Sequence, residues 1–230
     1  MPSERFQDLK RQIAQLRKLF LPRQFDSTGT YRSPERVAAR AIAFRVLAHA
    51  ELETYFEDRV ISIAKKALAA WESDRRVSSV TVHLMGYSEV SLSLPPETLR
   101  AASKNVERGW HNERITLNSR VSNCVSTYVH RVMKENHGVK EKNVLAMLLP
   151  IGFDVAKMDE LLLANLNQFG EARGQAAHSS RLTVTVHSDP KDEYEKVKRL
   201  LSDLECVDIE LDRIASEVAK QHVPQRRLNI

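Results

Sequence analysis

The sequence predicts an all-α fold: a bundle of four major helices with additional short helices, in a single domain. Three observations lead there. Apolar residues recur at intervals of three and four over long stretches, the spacing that gives a helix one buried face. Seven glycines and eight prolines in 230 residues are too few for a β-sandwich, which would need a turn every ten residues or so. Aromatic residues make up only 6% of the chain, and Leu, Ala and Val dominate the apolar set, as helical packing prefers. The chain is also long enough to bury a sizeable core.

Residues 8–21 form the first expected helix, with Leu9, Ile13, Leu16 and Phe20 on one face and Lys10, Arg11, Arg17 and Lys18 elsewhere. A linker follows over 22–30. Ser33-Pro34 then signals a helix start, and the apolar pattern continues without Gly or Pro to Trp71. Such a helix would be about 57 Å long. His49, inside it, reads as a packed or capped histidine. Residues 75–96 are ambiguous. Val80, Val82 and Leu84 alternate, as do Val90, Leu92 and Leu94, which suggests a small hairpin around Gly86, yet Val77, Val80, Leu84 and Tyr87 fit a helix. Irregular structure with a short helical piece is expected there. Pro96-Glu97 opens another short helix, ending before Gly109. From Asn118 the period is clear again through Val121, Cys124, Val125, Tyr128, Val129 and Val132, stopped by Gly138. Cys124 falls on that apolar face as a core residue. Lys140 to Leu149 is a short helix ended by Pro150, and an amphipathic run begins near Met158. Ser188-Asp189-Pro190 starts the last helix, whose apolar face runs from Tyr194 to Val218; the tail over 224–230 is expected to fray.

Charge and motif content narrow the function. A net charge of +5 is compatible with an anionic partner without demanding one. Two isolated cysteines support neither a disulfide framework nor a zinc site, so a reducing cytoplasm is the expected compartment. No signal peptide is visible, and the longest apolar run, Val144 to Phe153, is broken by Pro150 and too short to span a bilayer, so no membrane partner is expected. A glycine-rich phosphate loop, a His-Glu-x-x-His pair, a nucleophile elbow and a dinucleotide fingerprint are all absent from the sequence. No metal ligands and no cofactor are predicted.

The run Phe169-Gly170-Glu171-Ala172-Arg173-Gly174-Gln175-Ala176-Ala177-His178 stands apart. Gly170 and Gly174 lie one turn apart within a helical pattern, where each costs about 1 kcal/mol relative to alanine. With Ala177 they make a bare ridge, a place for close approach of a backbone or a ligand. Beside it stand Arg173 and His178. The pair reads either as a phosphodiester site or as a tight helix–helix contact with a surface arginine and a capping histidine. An arginine followed by a histidine after four to six intervening residues occurs four times, at Arg76/His83, Arg131/His137, Arg173/His178 and Arg181/His187. Only Arg173/His178 combines a well-defined helix with the bare ridge.

That run resembles the signature helix of the HEPN superfamily in its RiboL-PSP-like branch. The stretches His137–Val144 with Leu148–Gly152, and Arg45–Glu53 in the long helix, are similar to it as well. The resemblance covers roughly residues 33–218. It implies a helical bundle that dimerises so that two Arg–His pairs face one cleft. It also implies metal-independent RNA cleavage, often in toxin, abortive-infection or other defence systems, with a possible antitoxin or other protein partner. Many members carry a polar residue directly after the arginine, where this chain has Gly174, and some members only bind a partner protein or nucleotide.

RNA carries its own nucleophile, the 2′-hydroxyl beside the scissile phosphate. His178 would move a proton as general base or acid, because imidazole titrates near neutral pH. Arg173 would clamp the phosphate with a permanently charged fork of donors. Five residues along a helix separate the two by about 7.5 Å and about 140° of rotation, so a second copy would have to supply the missing acid or base. Lys140, Lys142 and Asn143 would contact the RNA backbone, or else serve a helix N-terminus and the solvent.

Overall fold

The computed structural model describes residues 2–88, 113–178 and 189–220, with the side chains of 113–116, 175–178 and 220 left aside. Among them are seven α-helices and no strand: α1 (Glu4–Phe20), α2 (Pro34–Asp74), α3 (Ser79–Gly86), α4 (Glu113–Lys134), α5 (Glu141–Leu148), α6 (Glu160–His178) and α7 (Pro190–Lys220). Two 3₁₀ turns, Leu149–Ile151 and Val155–Lys157, join α5 to α6. The all-α expectation holds. The short helix expected over 97–108, the pair Arg181/His187 and the tail lie outside the described residues.

α2 is the axis of the molecule. Its 41 residues contain no interior Gly or Pro, and it buries fourteen side chains, from Ala38 to Trp71. Alanines at 38, 41, 48, 64, 67 and 70 let neighbouring helices approach, while Phe44, Tyr55, Phe56 and Ile63 fill the space between them. α1 and α7 pack along it most extensively. α1 begins four residues earlier than its apolar pattern suggests, because Ser3 caps it by accepting the Phe6 N–H at 3.1 Å.

The described part of the ambiguous segment, up to Ser88, contains a short helix, Ser79–Gly86, after non-helical residues 75–78; residues 89–96, with Val90, Leu92 and Leu94, lie outside the described residues. Ser78 accepts the Thr81 N–H at 3.1 Å, Val80 and Leu84 are buried four residues apart, and Val82 is 58% exposed. A strand face would have buried all three, so the helical period wins. At the start of α7, Asp189 accepts the backbone N–H groups of Lys191 and Asp192 at 2.7 and 3.3 Å.

Two polar clasps tie α7 to α2. Asp208, fully buried, accepts the Ser3 N–H at 2.6 Å, the Ser3 hydroxyl at 2.7 Å and the Tyr55 hydroxyl at 2.8 Å, with Arg59 Nε 3.2 Å away. Nearer the start of α7, Glu193 accepts two 2.6 Å hydrogen bonds from Arg45 in a fork-to-fork pair. Burial works against the Glu193 charge, but Arg45 and Lys196 outweigh it and hold the carboxyl below its usual range. Arg45 also donates to the Ala172 carbonyl at 3.4 Å, which fixes α6 just before Arg173.

Candidate functional site

α6 carries Gly170, Arg173, Gly174, Ala177 and His178, and the helix continues through His178. Leu162, Leu166 and Phe169 bury one face against α2, and Arg173, four residues after Phe169, continues that same face past the end of the core, where its side chain is exposed. Because α6 stays helical, Arg173 and His178 of one chain diverge by about 140° around its axis. The fold therefore does not bring this pair together on one face.

The two glycines have different surroundings. A Cβ on Gly170 would stand 2.9 Å from Lys140 Cγ, so the bare position is the seat of the Lys140 side chain. At Gly174 nothing lies within 4 Å. Lys140 occupies the N-cap position of α5 and crosses α6 one turn before Arg173. That arrangement puts two cations on neighbouring parts of one surface. Among the described residues neither has an ion-pair partner, in contrast to Arg45 and Arg59.

The α5 start is held to α6 by a reciprocal pair. Asn167 accepts the Glu141 N–H at 2.9 Å and donates to the Glu141 carboxylate at 3.1 Å. Asn143 is buried and donates to the His137 carbonyl at 2.9 Å, so its amide serves the connection and not the surface. Lys142 is exposed and lines a cavity of about 710 Å³ between α3, α4 and α5. That cavity has an apolar floor with Leu84, Tyr128 and Met147, and includes Arg131 but neither Arg173 nor Lys140.

Among the competing pairs, Arg76 donates to the Ala219 carbonyl at 3.2 Å and His83 is bonded to the Ser79 carbonyl at 2.8 Å, both structural uses. Arg131 and His137 are exposed.

The residue that the sequence did not bring into the site is His49. It is 2% exposed, stacks on Phe169 (centroids 6.0 Å apart, planes at 25°), and its Nδ1 has no hydrogen-bond partner. Burial and the charge of Arg173 lower its pKa from 6.5 to about 4, so it is neutral at physiological pH. Glu53 Oε2 lies 3.8 Å from Nδ1, while Oε1 accepts the Gly138 N–H. The available signal was the series Arg45, His49, Glu53 and Glu57, polar residues at intervals of four on α2 beside the apolar positions Ala48, Leu52 and Phe56.

Among the described residues, no group of three His, Cys, Asp or Glu is placed to hold a metal ion, and no helix is long and apolar enough to cross a membrane. Fold and site together define a helical bundle that presents Arg173 and Lys140, two cations without ion-pair partners among the described residues, with a histidine at the end of the helix that carries Arg173. The chain belongs to the RiboL-PSP-HEPN family, whose model matches residues 4–212. The match takes in α1, upstream of the Ser33 start suggested by the motifs, in keeping with the burial of Phe6 and Leu9 against α2. No curated protein and no solved structure matches the chain.

Proposed function

We propose that this protein is a metal-independent endoribonuclease of HEPN type, acting as a homodimer and serving as a toxin or defence effector under the control of a protein partner. The observation that carries the reading is Arg173, exposed and without an ion-pair partner among the described residues, on the helix that ends at His178 and one turn after Gly170, where Lys140 packs. Both cations suit a phosphodiester.

In the proposed reaction the 2′-oxygen attacks phosphorus and the bond from phosphorus to the 5′-oxygen breaks. A histidine takes the 2′-hydroxyl proton, Arg173 stabilises the additional charge on the phosphorane, and a second histidine protonates the leaving oxygen. The products are a 2′,3′-cyclic phosphate and a 5′-hydroxyl. Since Arg173 and His178 diverge within one chain, the acid and base come from two copies. The uncovered stripe at Gly174 supports a contact there, because two helices can approach closely only where side chains are small. Arg and His supply charge and proton transfer without a metal.

Cleavage of single-stranded RNA tests this. Activity should survive EDTA and yield cyclic phosphate ends. His178→Ala should reduce the rate about 10²–10⁴-fold and Arg173→Ala about 10²–10³-fold. The divergence of Arg173 and His178 favours a second reading, a HEPN module that binds a partner protein or nucleotide without cleaving RNA. Wild-type protein that cuts no RNA, together with an Arg173→Ala variant that loses partner binding, would establish that reading instead.

A further inference from the structure

His49 is an unusual occupant for its position. It is enclosed by Phe169 on α6 and by Gly138, where a Cβ would stand 3.5 Å from the imidazole Cε1. A purely apolar side chain would fill such a site without leaving a ring nitrogen unsatisfied, which costs on the order of 1–3 kcal/mol. Of the charged groups on the elements packed here, Glu53 on α2 and Arg173 on α6 act on the ring, Arg45 stands one turn before it on α2, and His137 and Lys140 are close in sequence to Gly138, which packs against it. Glu53 has one oxygen on the Gly138 N–H and the other beyond hydrogen-bond reach, so it does not satisfy Nδ1. Arg45 is committed to Glu193. Arg173 follows Phe169 by four residues on α6, so it stands one turn beyond the ring that stacks on His49 and on the same face, where its charge reaches the imidazole.

We propose that His49 is a positioning residue for Arg173: its neutral imidazole gives the guanidinium a polar neighbour on the inner side and sets its direction without cancelling its charge. The contrast with Arg45 shows why neutrality matters. A carboxylate at position 49 would pair with Arg173 as Glu193 pairs with Arg45, and leave little charge for an incoming anion. An apolar ring would preserve packing but give the arginine no polar anchor. The proposal rests on reading Arg173 as the phosphate clamp.

Two measurements test it, and they fail separately. In the first, the His49 ring is titrated by NMR in wild-type protein and in Arg173→Ala. The midpoint should lie near 4 in the wild type and rise once the positive charge is removed; an unchanged midpoint overturns the pairing. The second is binding of a short single-stranded 2′-O-methyl oligoribonucleotide, which cannot cyclise. His49→Phe, which retains a ring against Phe169, should bind about 5–10-fold more weakly. His49→Gln should recover most of that loss, and the double variant with Arg173→Ala should bind no worse than Arg173→Ala alone. A folded His49→Phe with wild-type affinity, or additive losses in the double variant, overturns the proposal. If the wild type binds no oligonucleotide, the ribonuclease reading falls, and the titration decides: a raised midpoint supports the His49–Arg173 pairing, an unchanged one removes it.

Discussion

Within a few turns of α2 lie two buried polar groups with opposite circumstances. Asp208 is reached by Ser3, Tyr55 and Arg59, so three helices converge on one charge whose partners are all within the chain. His49 has an unsatisfied nitrogen and faces the charge of an arginine, Arg173, that is itself exposed. A buried polar network that is complete fixes a structure, whereas an incomplete one marks where a ligand or partner can still contribute. The comparison separates the part of the molecule that holds the fold from the part that has chemistry left to do.

The largest expected effect breaks the Asp208 cluster, whose carboxylate is fully engaged although Arg59 Nε, 3.2 Å away, makes an ion pair without a hydrogen bond. Asp208→Ala leaves the Arg59 guanidinium without its buried partner and the Tyr55 hydroxyl without an acceptor. The loss should be about 3–5 kcal/mol, a fall in melting temperature of roughly 10 °C. Oligonucleotide affinity per folded molecule should not change. Arg173→Ala should do the reverse: the melting temperature stays within a degree or two of wild type, since the side chain is exposed, while affinity falls. Thermal melts and binding curves on both variants check the crossing. A melting temperature in Arg173→Ala as low as in Asp208→Ala would make Arg173 a structural residue.

How much of this was legible beforehand depends on the range of the interaction. Helix positions are local: the 3.6-residue period and the caps at Ser33-Pro34 and Asp189-Pro190 were enough to place α2 and α7. The segment around α3 was ambiguous because Val80, Val82 and Leu84 fit two periods, and only the exposure of Val82 decides between them. Gly170 could be recognised as a bare position, but not as the seat of Lys140, since that contact joins residues 30 apart through tertiary packing. His49 was harder still. Its position on α2 was readable, but its opposition to Arg173, far along the chain, follows from the packing of α6, which no periodicity encodes.

The pH dependence of stability sharpens the comparison at the incomplete cluster. In the unfolded chain His49 titrates near 6.5, and in the fold near 4, so the unfolded state binds more protons between those values. His49 therefore contributes nothing to pH dependence above about 7. As pH falls from 6.5 towards 4, stability should drop by up to about 3 kcal/mol through this residue. Denaturant unfolding across that range, compared with His49→Phe, isolates the effect: the variant should show a shallower slope. Equal slopes would mean that His49 protonates as easily in the fold as outside it.

The smallest effects distinguish the two glycines. At Gly170 an added methyl would meet Lys140 Cγ at 2.9 Å, close to the backbone end of that side chain, so the lysine must move. The helical preference for alanine, up to about 1 kcal/mol, is then offset by the displaced contact. Gly170→Ala should be near neutral in stability and should weaken oligonucleotide binding a few-fold by shifting the cation. At Gly174 there is no internal obstacle, so the outcome depends on what covers it. If two copies meet along this stripe, Gly174→Leu should weaken self-association in sedimentation equilibrium while circular dichroism stays unchanged. A wild type that is monomeric at micromolar concentration would remove the shared cleft. In that monomer Gly174→Ala should raise stability by about 1 kcal/mol, because the helix gains an alanine and loses nothing.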